Sequence, residues 1–172
     1  MSFLKKIQLY RSTHRWANIS LHIVIVIFIY LAISTWQTRN ATRGIAPNFT
    51  GNDLSNNVIT FNQYRGKPVL LHFWATWCPV CSLEHTTISR LSKDYQVLTI
   101  ASWSGDSADV RQFMQQENLH YPVIVDADGS IAKTYGVQGV PSSFIISDTG
   151  EIKFIEQGYT TEIGLRLRLG WL

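Results

Sequence analysis

Cysteine is scarce in this chain, with 2 in 172 residues, and this excludes a small fold held together by many disulfides. Charged residues are also few, at 16% of the chain, where ordinary soluble domains have roughly 25%. Hydrophobic residues make up 45% of the chain, which excludes a disordered polar segment and a collagen-like repeat. Length and composition together indicate one domain with a substantial apolar core.

No acidic residue precedes Asp53 in the chain. Residues 1–16 contain four basic residues and no acid, whereas residues 45–172 contain 9 Lys or Arg and 12 Asp or Glu. The formal net charge of +3 therefore arises at the N-terminus, and the body of the protein is slightly acidic. This distribution argues against a nucleic-acid-binding domain.

Residues 17–36 contain no Asp, Glu, Lys or Arg, and about 20 apolar residues span the hydrocarbon core of a membrane. Trp16 and Trp36 bracket this stretch and suit the two membrane interfaces. We therefore predict a single transmembrane anchor over residues 17–36. Because the basic segment precedes it, residues 1–16 are expected in the cytoplasm and the body outside. Two alternatives are a buried core helix and a cleavable signal peptide ending near Ala32–Ser34.

We predict a linker over residues 37–57, because this stretch is rich in Asn, Thr, Gly and Ser. We predict that residues 58–172 form an α/β domain with a mixed central sheet flanked by helices. Apolar runs predict the strands, and helical periodicity predicts the helices between them. The predicted strands are residues 58–61, 69–75, 97–103, 122–125, 142–147 and 151–155. The predicted helices are residues 79 to about 95, 107–117, a turn that Gly136 ends, and a segment from Thr160.

The two cysteines form one motif, Trp77-Cys78-Pro79-Val80-Cys81, where a buried strand ends and a helix begins. A helix N-terminus stabilises a thiolate, so we expect a lowered pKa at Cys78, the exposed attacking sulfur. Cys81 lies one helical turn further on and can form a disulfide with it, so the pair can exchange with a partner through a mixed disulfide. A zinc site would need two further ligands. A purely structural disulfide is the other alternative.

The segment FWATWCPVC, followed by Gly139-Val140-Pro141-Ser142-Ser143-Phe144, resembles the thioredoxin superfamily. The similarity is greatest to its membrane-anchored branch, the TlpA, ResA and DsbE type, and within it to the suppressor-of-copper-sensitivity D type. The resemblance covers residues 45–172 and implies a thioredoxin-like fold. It also implies a cis peptide bond before Pro141, which leaves the Val140 backbone to pair with an extended substrate segment. Trp77 is expected to cover the thiol site.

Two ionisable residues are candidates for proton transfer to and from the inner thiol. Glu84 matches the CxxC-x-x-E pattern of that branch, and a partly buried acid there can donate or accept a proton; the alternative is a solvated carboxylate on the helix surface. His72 stands where the branch often has Asn and thioredoxin has Asp. It can titrate near neutral pH, or it can be an ordinary core histidine. Thr86 stands where the branch often has Pro, which puts the usual helix kink in doubt.

The resemblance implies a bacterial inner-membrane thiol–disulfide oxidoreductase with its catalytic domain in the periplasm. We expect it to reduce cysteine pairs in extracytoplasmic proteins, to draw electrons from an integral membrane thiol protein, and to act in copper tolerance. We expect no cofactor and no metal site. The alternatives are a disulfide-forming oxidant, a peroxidase-like use of Cys78, and a non-catalytic Cu(I)-binding protein.

Overall fold

The computed structural model describes residues 19–29, 32–33 and 39–172. The chain divides into two compact units, Met1–Arg39 and Asn40–Leu172. In the first unit, residues 19–29 are helical. No helix among the described residues has the length and apolar character needed to cross a membrane. The predicted cytoplasmic segment, residues 1–16, and part of the predicted anchor, residues 17–36, lie outside the described residues.

The second unit is built on one eight-stranded mixed sheet with the order β1-β8-β7-β4-β5-β6-β2-β3. The strands β4, β5 and β6 are parallel, and every other pairing is antiparallel. This arrangement confirms the predicted α/β class with a mixed sheet. The strands are β1 Gly44–Ile45, β2 Thr50–Asp53, β3 Val58–Thr60, β4 Val69–Trp74, β5 Gln96–Ser102, β6 Val123–Asp126, β7 Ser142–Ile146 and β8 Glu151–Gln157.

Helices of the second unit enclose the sheet, so that it has one apolar core on each face. The helices are α1 Pro79–Ser82, α2 His85–Asp94, α3 Ser107–Gln116, α4 Ser130–Thr134 and α5 Glu162–Gly170, with a 3-10 helix at Phe61–Tyr64. Side chains of α1, α2, α3 and α5 lie in one core cluster, and those of α4 and the 3-10 helix lie in the other.

Strand β4 is buried along its whole length, because β5 and β7 flank it and a core covers each face. Successive side chains of a strand point to opposite faces. Leu70 and Trp74 accordingly belong to the cluster that contains both cysteines, while Leu71 and Phe73 belong to the other. By this alternation, His72 points to the same face as Leu70 and Trp74, towards α1 and α2.

The predicted linker over residues 37–57 is wrong for most of its length. The folded unit begins at Asn40, where the Thr42 amide donates to the Tyr135 carbonyl at 3.0 Å. Strand β1 then pairs with β8, and β2 pairs with β6 and β3. A polar composition concealed these strands because both are short and lie near the edges of the sheet, where few side chains need to be apolar.

The predicted helix from Pro79 to about Tyr95 is interrupted. Helix α1 ends at Ser82 and α2 begins at His85, with Leu83 and Glu84 between them. No proline causes this break. The Glu84 carboxylate accepts a hydrogen bond from the Thr160 amide, and this long-range contact is made at the interruption. The predicted C-terminal helix is confirmed, and it begins at Glu162 with Thr161 as its N-cap.

Gly136 packs closely against Asn40, the first residue of the second unit. Its φ is +68°, and a Cβ there would overlap the backbone carbonyl of Asn40. We predict that Gly136→Ala lowers the free energy of unfolding by roughly 2–3 kcal/mol, from the left-handed backbone and the steric overlap together. Denaturant unfolding measures this loss.

Gly44→Ala is the matched control, because Gly44 also has a positive φ, +79°, but has open space around its Cα. It should cost only about 1 kcal/mol, for the backbone conformation alone. Equal losses in the two variants would show that the Asn40 contact contributes nothing.

Candidate thiol–disulfide site

Cys78 and Cys81 lie where β4 gives way to α1, as the sequence predicts, and they form a disulfide with their Cα atoms 5.3 Å apart. Cys78 is the N-cap of α1, and its Sγ accepts a hydrogen bond from the Cys81 amide at 3.1 Å. Pro79 occupies the first turn, where no amide donor is required. This N-terminal position favours negative charge on the Cys78 sulfur.

Burial of the two sulfurs differs from the expectation. Cys78 was predicted to be the exposed sulfur, but its exposed fraction is 4% against 0% for Cys81. The Val140 carbonyl oxygen lies 3.6 Å from the Cys78 Sγ, so this backbone segment covers the outer sulfur. Cys78 is still the more accessible of the two.

The Val140–Pro141 peptide bond is cis, as the resemblance implies. The β4–β7 register pairs Phe73 with Ser142, and this brings Pro141 to the end of β4 from which the CxxC motif emerges. The Pro141 carbonyl accepts a hydrogen bond from the Gly158 amide at 2.8 Å, which ties this loop to the end of β8.

Trp77 is exposed over 62% of its surface. Its Nε1 donates to the Trp103 carbonyl at 2.9 Å, so the indole is anchored on the loop that follows β5. Val80 and Leu83 are also exposed, Leu83 over 68% of its surface. The motif therefore presents apolar side chains to solvent, which is typical of a surface that contacts another protein.

Trp103 is a residue that the sequence analysis missed. It adopts φ +52°, an uncommon conformation for a residue with a bulky side chain. Its indole lies against Gly129, where a Cβ would overlap it. The contact depends on two loops from different strands, and no local pattern in the sequence indicates it.

Glu84 and His72 are both about 1% exposed, and the structure brings them together. The Glu84 Oε2 and the His72 Nε2 lie 4.0 Å apart, which is beyond hydrogen-bond distance. The other Glu84 oxygen, Oε1, accepts from the Thr160 amide at 2.6 Å. The His72 Nδ1 lies 2.9 Å from the Ser143 Oγ. The Glu84 amide donates to the Cys81 carbonyl at 2.9 Å, so the Glu84 backbone continues directly from the CxxC helix.

Burial shifts both groups towards their neutral forms. It raises the pKa of Glu84 to about 7, against the opposing effect of the Thr160 amide. Burial, with a smaller effect of the nearby His85, lowers the pKa of His72 to about 3. At neutral pH the imidazole is therefore uncharged, while the carboxyl group is close to half ionised.

His85 is a second buried histidine that the sequence analysis did not single out as a site residue. Its Nδ1 lies 2.9 Å from the Tyr121 hydroxyl, and its ring packs edge-on against Trp74. Burial lowers the pKa of His85. Within the described parts of the chain, no three His, Cys, Asp or Glu residues cluster in a way that could hold a metal ion.

Comparisons with known proteins agree with this geometry. The model of the AhpC/TSA family matches residues 43–155. The thiol-disulfide oxidoreductase ResA of Geobacillus thermodenitrificans is 32% identical over 145 residues, which cover 82% of this chain and 83% of that protein. ResA of Bacillus thuringiensis subsp. konkukian is 38% identical over 111 residues, and there the match spans 62% of this chain and 64% of that relative's length.

A solved structure extends the similarity to the fold. The secreted Mycobacterium tuberculosis disulfide oxidoreductase, described as homologous to E. coli DsbE, superposes with a TM-score of 0.65 at 26% sequence identity. The superposition covers 72% of this chain and 96% of that one. The second unit therefore has the thioredoxin-like fold that the sequence predicts.

Glu84 makes the stability of the protein depend on pH. Its pKa in the folded protein, about 7, lies above the ordinary value of 4.5. Stability from this group is therefore fully present below pH 4.5 and is lost as the pH rises to about 7. We predict that Glu84→Gln, which keeps the Thr160 hydrogen bond, raises the free energy of unfolding at pH 8 by up to about 3 kcal/mol.

Denaturant unfolding at pH 5 and pH 8 measures this gain, and the difference between the variant and the parent should be largest at pH 8. Glu162→Gln is a control, since Glu162 lies at the surface beside Arg90 and Arg166 and its pKa is lowered. If both variants respond to pH in the same direction, the buried carboxyl group is not the source.

Proposed function

Because this chain belongs to the AhpC/TSA family, together with the ResA thiol–disulfide oxidoreductases, we propose that it exchanges thiols and disulfides with cysteine pairs in partner proteins. One observation carries the proposal: a disulfide-bonded CxxC pair at a helix N-terminus, with its outer sulfur beside the carbonyl that precedes a cis-proline. That is the arrangement needed to form and resolve a mixed disulfide with an extended segment.

The reaction is a two-electron exchange. In the reducing direction, the Cys78 thiolate attacks a partner disulfide, forms a mixed disulfide and releases one partner thiolate. Cys81 then loses its proton and attacks the Cys78 sulfur, which releases the second partner thiolate. Cys81 supplies one proton and solvent supplies the other, because Cys78 reacts as a thiolate; the partner disulfide becomes a dithiol, and Cys78–Cys81 becomes the disulfide. Glu84 and His72 are the candidates to accept the proton from Cys81.

The surface around the disulfide is expected to bind the partner protein. The Val140 backbone and Pro141 lie beside Cys78, where they can hold an extended strand of the partner. Trp77, Val80 and Leu83 present apolar area next to it. Such a surface contacts many sequences, because backbone hydrogen bonds and apolar burial do not require particular partner side chains.

A membrane tether, with the catalytic domain in the periplasm, is the second part of the proposal. The apolar stretch at residues 17–36 and the basic residues before it support this orientation. The folded unit begins at Asn40, only a few residues after that stretch. Tethering raises the effective concentration of the domain near a membrane-embedded thiol donor. The reducing direction and a role in copper tolerance are proposed on the resemblance to the copper-sensitivity branch.

The reduction potential of Cys78–Cys81 tests the direction. We propose to equilibrate the full-length chain in detergent micelles with glutathione buffers and to measure the oxidised fraction. A potential of about −230 mV or lower is expected for a reductant, while about −150 mV or higher would identify an oxidant. Absence of any couple would contradict thiol exchange and favour the Cu(I)-binding alternative.

The roles of the two sulfurs predict opposite trapping behaviour in single substitutions. Reduced Cys81→Ser keeps the attacking Cys78 but cannot resolve, so it should accumulate a mixed disulfide with oxidised insulin as a model partner. Cys78→Ser should accumulate little, because Cys81 is fully buried. Non-reducing electrophoresis after acid quenching measures the adduct, and trapping by Cys78→Ser alone would reverse the assignment.

A further inference from the structure

Three buried side-chain polar atoms lack a hydrogen-bond partner among the described residues: His72 Nε2, Glu84 Oε2 and His85 Nε2. The first two face each other across 4.0 Å beneath the CxxC helix. A buried polar atom without a partner is costly, so two such atoms facing each other need an explanation. A small approach, or one proton held between them, would satisfy both.

The contact between His72 Nδ1 and Ser143 explains how the shared proton can lie on either His72 Nε2 or Glu84 Oε2. Its Nδ1 is 2.9 Å from the Ser143 Oγ, and a hydroxyl can donate or accept. A neutral imidazole carries one N–H and one lone pair. Ser143 can therefore donate to Nδ1 while Nε2–H points at Glu84, or accept from Nδ1–H while the Nε2 lone pair faces Glu84.

We propose that Ser143, His72 and Glu84 form a proton-adaptable chain, in which neutral His72 switches tautomer as Glu84 gains or loses a proton, and so sets the pH at which Glu84, the acceptor proposed above for the Cys81 proton, ionises. When Glu84 is ionised, the His72 Nε2–H donates to its Oε2. When Glu84 has taken the proton, its hydroxyl donates to the Nε2 and the Nδ1–H donates to Ser143. This deepens the function proposed above and rests on it.

The step balances. The Cys81 thiol loses a proton to the Glu84 carboxylate, the resulting thiolate forms the bond to Cys78, and the bond between Cys78 and the partner breaks. The departing partner thiolate later takes a proton, which Glu84 returns directly or through solvent. His72 neither gains nor loses net charge, and it acts as a positioning residue.

Burial is the main reason that the His72 imidazole stays neutral, and a positive charge on nearby His85 would disfavour an imidazolium further. His85 is the first residue of α2, and its Nδ1 lies 2.9 Å from the Tyr121 hydroxyl. On the Glu84 side, Oε1 accepts from the Thr160 amide, and the Glu84 amide donates to the Cys81 carbonyl of α1. Burial raises the pKa of Glu84 to about 7, which suits a group that accepts and returns a proton near neutral pH.

Substitutions of His72 and of Ser143 are predicted to shift the pH at which Glu84 ionises in opposite directions. His72→Leu removes the Nε2–H that stabilises the carboxylate, so ionisation of Glu84 should move up by about one to two pH units. Ser143→Ala removes the acceptor that the Nδ1–H needs. This favours the Nε2–H tautomer, because a buried N–H without an acceptor is costly, and ionisation should move down by about one unit.

Reaction of the reduced full-length chain with 5,5′-dithiobis(2-nitrobenzoate) separates the two sulfur steps. Attack by Cys78 releases one thionitrobenzoate, and attack by Cys81 on the mixed disulfide releases the second. The rate of the second release should rise with a midpoint near pH 7. This midpoint should disappear in Glu84→Gln, rise in His72→Leu and fall in Ser143→Ala. Ser142→Ala is the matched control, equally buried, with its hydroxyl donating to the Gly139 carbonyl; its midpoint should not move.

Nitrogen-15 NMR of the unsubstituted chain tests the tautomer switch without any variant. The His72 ring should be protonated at Nδ1 below the midpoint and at Nε2 above it. A single tautomer at all pH values, an imidazolium near pH 7, or equal midpoints in all variants would overturn the proposal. Loss of the first release would instead contradict thiol exchange itself, so the two failures are distinguishable.

Discussion

The antiparallel register between β4 and β7 is the constraint on which the rest of the site depends. It pairs Phe73 with Ser142 and His72 with Ser143. The first pairing brings the cis-proline loop to the end of β4, where Cys78 emerges. The second brings a hydroxyl against a buried imidazole. A slip of one residue would turn these side chains to opposite faces and separate both pairs. Burial of β4 on both faces opposes such a slip.

Each end of the short CxxC helix positions a group of the site. At the beginning, the Cys81 amide donates to the Cys78 sulfur, which favours a thiolate there. At the end, the chain leaves the helical path at Leu83 and Glu84. The Glu84 carboxylate then meets the Thr160 amide from the loop before α5. The interruption between α1 and α2 thus coincides with a buried acid that contacts the loop before α5.

Burying ionisable groups on the face of the redox pair has a cost, and the structure limits it by keeping the His72 imidazole neutral. His72 and Glu84 lie on the face of the sheet that carries the cysteines, among apolar side chains. An ion pair there would lose much of its solvation, whereas a neutral imidazole with a half-titrated carboxyl group loses less. The same features that make this cluster unfavourable for stability make its protons transferable near pH 7.

Local patterns in the sequence were enough to locate the two sulfurs, the apolar strand before them and the mixed α/β architecture. These patterns are a hydrophobic run, a helix start and a short motif, and the resemblance that the motif carries implied the cis-proline. The folded structure was needed to show that β1 and β2 belong to the sheet, that Val140 covers Cys78, and that Glu84, His72 and Ser143 meet. Those contacts join residues 71 apart for His72 and Ser143, and 76 apart for Glu84 and Thr160. They follow from strand register and helix packing, which local periodicity does not encode.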